Sequence, residues 1–114
     1  MSECPFCRIV AGTLPSQIVT QSEECLAFRD IAPHAPVHVL VIPKVHVSSA
    51  DELTESNASL VAHMVLLAQQ AAEIEGIRES GYRLIMNNGD DALMSVSHLH
   101  MHVIGGRQLP GRLA

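Results

Sequence analysis

The segment His98-Leu99-His100-Met101-His102-Val103 constrains this chain more than any other stretch. Histidine alternates with an apolar residue at a period of two, the pattern of a β-strand with one face on a core. Read as a strand over His98 to Ile104, it puts His98, His100 and His102 on one face. Leu99, Met101 and Val103 fall on the other. Each imidazole has two ring nitrogens that need partners, so three in a row cost sheet stability unless they are used. Two of them can ligate a metal, or several can grip a phosphate. Alternatively, one can attack phosphorus while a neighbour handles protons or charge. The remaining reading is a solvated strand without a role.

The flanking sequence supplies partners for that strand. Val37 to Ile42 is almost continuously apolar and β-branched, and Pro43 closes it. His38 lies within it, placed to orient a nearby imidazole and fix its tautomer. Gln17 to Gln21 and Cys25 to Arg29 read as two strands joined by the Ser22-Glu23-Glu24 turn, and Tyr82 to Met86 as another. Asp51 to Leu53 reads as one helical turn. Asn57 to Glu75 carries Leu60, Met64, Leu67, Ala71 and Ile74 at helical spacing, widened by Val61, Val65, Ala68 and Ala72. Gly76 suits its end. So broad an apolar face predicts burial against the sheet and against a second subunit. Cys4 to Val10 forms a short helix stopped near Gly12. The expected fold is α+β: a five-stranded, mostly antiparallel sheet, one long helix and a short N-terminal helix, in a single domain over residues 1–114.

Composition narrows the partners. A net charge of −5 argues against a nucleic-acid backbone or an anionic membrane surface, which need a basic footprint. A small anionic ligand is still permitted, because backbone N–H groups and histidines can hold a phosphate inside an acidic protein. Aromatic residues make up only 3%, so the core must be aliphatic. No stretch reaches bilayer length, and Met1-Ser2-Glu3-Cys4 lacks the basic start of a signal peptide. Three cysteines cannot all pair, and a reducing compartment suits Cys4 and Cys7 to metal or redox chemistry. Together these predict a cytoplasmic protein. Cys25, in a strand, reads as a small core residue, and His34 and His63 as surface residues.

Several pieces of the chain resemble the histidine triad superfamily, in particular its Hint branch of purine nucleotide phosphoramidases. They are Cys25-Leu26-Ala27-Phe28-Arg29-Asp30-Ile31, Ala35-Pro36-Val37-His38-Val39-Leu40-Val41-Ile42-Pro43-Lys44, Gly81-Tyr82-Arg83 and Ser95-Val96-Ser97 running through the histidines to Gly105-Gly106-Arg107. The resemblance implies a hydrolase of purine nucleoside 5′-monophosphoramidates that forms a covalent nucleotidyl-histidine. It assigns the attack to His100, phosphate contact to His102, phosphate binding and leaving-group assistance to Ser95, and a relay to His38. Asp30 would accept both ribose hydroxyls. Asn87 would contact the ribose and phosphate side. Phe6, Ile9, Leu14, Phe28 and Ile31 would wall the base; by pattern alone they would be core. It also implies a homodimer. A dinucleoside polyphosphate hydrolase and a nucleotide-binding module with little turnover are the alternatives. The chain departs from the branch at Ala92-Leu93-Met94, where small glycine-rich residues and then Gln are usual. Main-chain donors of Leu93 and Met94 would still line the phosphate.

Cys4-Pro5-Phe6-Cys7 is half of a tetrahedral zinc site. Bacterial members that the chain resembles complete such a site with two histidines, at positions matching His46 and His98 here. The donor set suits Zn²⁺. The alternatives are ordinary thiols or a redox pair.

Overall fold

A computed structural model describes residues 3–112; Met1-Ser2 and Leu113-Ala114 lie outside the described residues. Five strands, β1 (Ile18–Gln21), β2 (Cys25–Arg29), β3 (Val37–Pro43), β4 (Tyr82–Ile85) and β5 (Met101–Gly105), form one sheet in the order β1-β2-β3-β5-β4. Every neighbouring pair is antiparallel. The short helix α1 (Pro5–Ala11) precedes the sheet and the long helix α2 (Ser59–Ile74) lies between β3 and β4.

Side-chain alternation sorts the sheet residues into two clusters. Cys25, Ala27, Val39, Val41, Met101 and Val103 pack with Met64, Leu67, Ala68 and Ala71 of α2. The other face sends Leu26, Phe28, Leu40 and Ile42 against Phe6 and Ile9 of α1. Both faces of β2 and β3 are therefore covered, which is why these strands read as nearly unbroken apolar runs. Burial also pushes the Cys25 thiol up to about 11, as fits a core residue. No helix among the described residues is long and apolar enough to cross a membrane.

The helix ends follow local chemistry. Pro5 occupies the first turn of α1, and the Cys4 sulfur accepts the Cys7 N–H there. At the end of α2, Gly76 takes φ +77°. The Ile77 N–H reaches the Ala72 carbonyl and the Gly76 N–H the Glu73 carbonyl, a Schellman arrangement. The first turn expected from Asn57 is instead tight, with Leu60 and Val61 donating three residues back, so α2 begins at Ser59.

Two expectations are corrected. Ile74, placed on the buried stripe, is 57% exposed, because the helix ends there with its inward face already supplied by Ala71 and Ala72. The histidine strand does not begin at His98. β3 pairs with β5 only from Val37↔Gly105 to Val41↔Met101. The next pairing would need a donor from Pro43, which has no N–H. The Leu99 N–H bonds the Val47 carbonyl instead. Residues 98–100 thus leave the ladder, although Leu99 still points into the core.

Leu67→Ala should lower unfolding free energy by roughly 3 kcal/mol in urea titrations, whereas Glu73→Ala on the exposed side of α2 should shift it by less than about 0.5 kcal/mol.

Candidate active site and metal cluster

A cleft of about 410 Å³ opens between α1, the C-terminal end of β2 and the histidine segment. Phe6, Ile9, Leu14, Phe28, Ile31 and Leu40 line its apolar part, and Asp30, Ser95, His100 and His102 supply polar groups. The Phe6 ring meets Phe28 edge-on at 5.5 Å and His100 edge-on at 5.2 Å, so α1 packs directly on the histidines.

Fixed main-chain groups determine how the imidazoles present their nitrogens. The His34 N–H donates to His38 Nδ1 at 3.0 Å, so neutral His38 carries its proton on Nε2. That N–H points to His102 Nδ1 at 2.9 Å, with the Asp30 carboxylate 3.4 Å away. His102 must then carry its proton on Nε2. Burial pushes His38 down and holds His102 at about 4, the latter helped by the adjacent His100 and His38 rings, so both are neutral near pH 7. His100 has the opposite tautomer. Its Nδ1–H donates to the His98 carbonyl at 2.7 Å, a group that can only accept, which leaves the Nε2 lone pair available. The cleft is therefore bordered by one imidazole lone pair and one imidazole N–H donor, about 5.2 Å apart by ring centres.

His38 thus acts on His102; its hydrogen bond does not reach His100. Asp30 lies at the mouth of β2. One carboxylate oxygen accepts the Ala32 N–H at 2.8 Å and stiffens the loop, while the residue lines the cleft.

Asn87, Leu93 and Met94 are not among the residues lining this cleft. Asp90–Ala92 forms a turn of 3₁₀ helix, and the Leu93 and Met94 N–H groups are taken by the Asp90 and Gly89 carbonyls. The expected main-chain donors to phosphate are already bonded within the loop, and the Leu93 side chain is 84% exposed at φ +61°. Sequence reasoning missed Pro5, Pro15, Ser16, Arg29, Leu40 and Val96 of the lining. Arg29 follows directly from its position before Asp30; it is held by two bonds to Glu75, at 2.7 and 2.8 Å.

Behind the cleft, Cys4, Cys7, His46 and His98 bring one ligand atom each within 4.8 Å of one another. His98 is fully buried and donates Nε2–H to the Pro43 carbonyl at 2.9 Å. Its Nδ1 lone pair consequently faces the Cys4 and Cys7 sulfurs at 3.4 and 3.5 Å and His46 Nδ1 at 3.2 Å. A histidine whose outer N–H is anchored on a carbonyl is the usual form of a metal-bound imidazole. The two sulfurs and two imidazoles therefore fit a metal ion in both donor type and orientation.

The HIT domain model matches residues 11–109. The chain belongs to the HIT domain family. It is 41% identical over 112 residues to the purine nucleoside phosphoramidase of Escherichia coli K12, spanning 98% of this chain and 94% of that protein. A HIT family hydrolase from Clostridium thermocellum is 43% identical and superposes with a TM-score of 0.97, covering 100% of this chain and 99% of that one. A HIT family hydrolase from Legionella pneumophila gives 0.91 at 38% identity, over 96% and 97%. These neighbours share the α+β fold, and both are HIT family hydrolases by name.

The His102 environment has a measurable consequence. Its folded value of about 4 lies below its ordinary 6.5. Between these values the unfolded chain binds the extra proton, so this contribution to stability is complete above pH 6.5 and is lost as pH falls toward 4. An NMR titration should put the His102 midpoint near 4. A His102→Asn variant should lose that share of the acid sensitivity, and a midpoint near 6.5 would contradict the neutral relay.

Proposed function

We propose that this HIT protein hydrolyses purine nucleoside 5′-monophosphoramidates, with His100 as nucleophile. The observation that carries the reading is the His100 Nδ1–H bond to the His98 carbonyl, which leaves Nε2 as a lone pair at the cleft. The 41% identity to a purine nucleoside phosphoramidase supports the substrate class.

In the first step Nε2 of His100 attacks the α-phosphorus. A P–Nε2 bond forms, the phosphoramidate P–N bond breaks, and the amine leaves with the proton of the Ser95 hydroxyl, which a proton of the attacking water replaces in the second step. Water then attacks the nucleotidyl-histidine, the P–Nε2 bond breaks, and the nucleoside monophosphate is released. Two easier displacements replace one difficult one. The His102 Nε2–H meets the phosphate as a neutral donor, oriented through His38. The Asp30 carboxylate accepts the ribose hydroxyls, and Phe6, Ile9, Leu14, Phe28 and Ile31 enclose the base.

Zn²⁺ held by Cys4, Cys7, His46 and His98 would cross-link α1 to the two segments carrying the histidines, a structural role. Elemental analysis should give close to one zinc per chain, lost in the Cys4→Ser, Cys7→Ser variant. A homodimer is the assembly favoured by the exposed Leu66 and Ile74 of α2 and by Leu84 on the edge strand β4, and a monomeric mass in light scattering would remove it. The three cysteines suit a reducing, cytoplasmic setting.

A second reading, a nucleotide-binding module with little turnover, draws support from the internally bonded Leu93 and Met94 donors. A fluorogenic adenosine phosphoramidate separates the two. Wild type should turn over, and His100→Ala should be slower by at least about 10³-fold. Equal rates would reject His100, and tight monophosphate binding without turnover in wild type would favour the binding module.

A further inference from the structure

His98 joins two sites through different atoms. Its ring nitrogen Nδ1 faces the two sulfurs and His46, whereas its main-chain carbonyl accepts the His100 Nδ1–H at 2.7 Å. We propose that His98 is a positioning residue: metal held by Cys4, Cys7, His46 and His98 fixes the carbonyl that keeps His100 in its reactive tautomer. This rests on the reading of His100 as the nucleophile.

Three observations support the link. First, residues 98–100 lie outside the β5 ladder, so sheet hydrogen bonds do not hold them. Second, the contacts that do hold them lead back to the cluster. The Leu99 N–H bonds the carbonyl of Val47, which follows the ligand His46, and the His98 ring bonds Pro43. Third, Phe6 lies between Cys4 and Cys7, and its ring meets His98 at 5.9 Å and His100 at 5.2 Å. A metal cross-linking residues 4, 7, 46 and 98 therefore holds the nucleophile from its carbonyl side and from its ring side. Without it, rotation about the residue 98 peptide can turn the carbonyl away from Nδ1. Neutral His100 is then free to carry its proton on Nε2, which removes the lone pair from the position of attack. Small displacements of such a group cost catalysis heavily.

The test is two-bond ¹H–¹⁵N correlation NMR of histidine-labelled protein, zinc-loaded and chelator-stripped, with circular dichroism to establish that both are folded. In the loaded protein, His100 should read as a single species protonated on Nδ1. In the stripped protein it should become a mixture of tautomers, and single-turnover cleavage of an adenosine phosphoramidate should slow by about 10- to 100-fold and recover when zinc is restored. Should the stripped chain unfold, His46→Gln, an exposed ligand outside the cleft, weakens one ligand and should move the His100 signals in the same direction. An unchanged His100 pattern in a folded stripped or His46→Gln protein overturns the proposal, as does a chain that takes up no zinc yet holds the Nδ1–H tautomer. A zinc-dependent tautomer in a protein without phosphoramidate turnover supports the positioning role and overturns the functional reading instead.

Discussion

The hydrogen bond from His100 Nδ1–H to the His98 carbonyl is the constraint on which the site depends. A neutral imidazole offers one donor and one acceptor, and which nitrogen offers which is decided by its partner. A carbonyl accepts only, so Nε2 of His100 is the acceptor. The same logic runs through the other histidines. The His34 N–H fixes His38, His38 fixes His102, and the Pro43 carbonyl fixes His98. Three main-chain groups therefore set the polarity of the cleft and of the Cys/His cluster, and main-chain groups keep their chemistry when side chains change.

The fold makes those main-chain groups available. Pro43 ends the pairing of β3 with β5, and residues 98–100 peel off the sheet. Outside the ladder, the His98 carbonyl turns to the side chain two residues on. The same departure carries the His98 ring behind the cleft, to Cys4, Cys7 and His46, while His100 and His102 remain at the cleft.

Much of this was legible in the sequence because it rests on periodicity. The alternation through Leu99, Met101 and Val103 places those residues in the core, and β2 runs from Cys25 to Arg29 as read. The Cys-x-x-Cys pair and two distant histidines also come together as expected. What was not legible depends on long-range registry or on main-chain bonding. The start of β5 is set by a proline on another strand. The Leu93 and Met94 donors are taken by a 3₁₀ turn that no side-chain pattern announces. His34, read as a surface residue, matters through its N–H, which any residue except proline would supply. His38 acts on His102, because the strand register puts its ring beside that one.

The central claim is that the His100 Nε2 lone pair takes the nucleotidyl group. Its most direct test is quenching the enzyme in alkaline denaturant during turnover of an adenosine phosphoramidate, which keeps the acid-labile P–N bond intact, followed by peptide mass spectrometry at neutral to alkaline pH. The account predicts one covalently held adenylyl group, on His100 in the peptide that also contains His98 and His102. An adduct on His102, or turnover under conditions that preserve phosphohistidine-type bonds with no adduct in a rapid-quench time course, would contradict it.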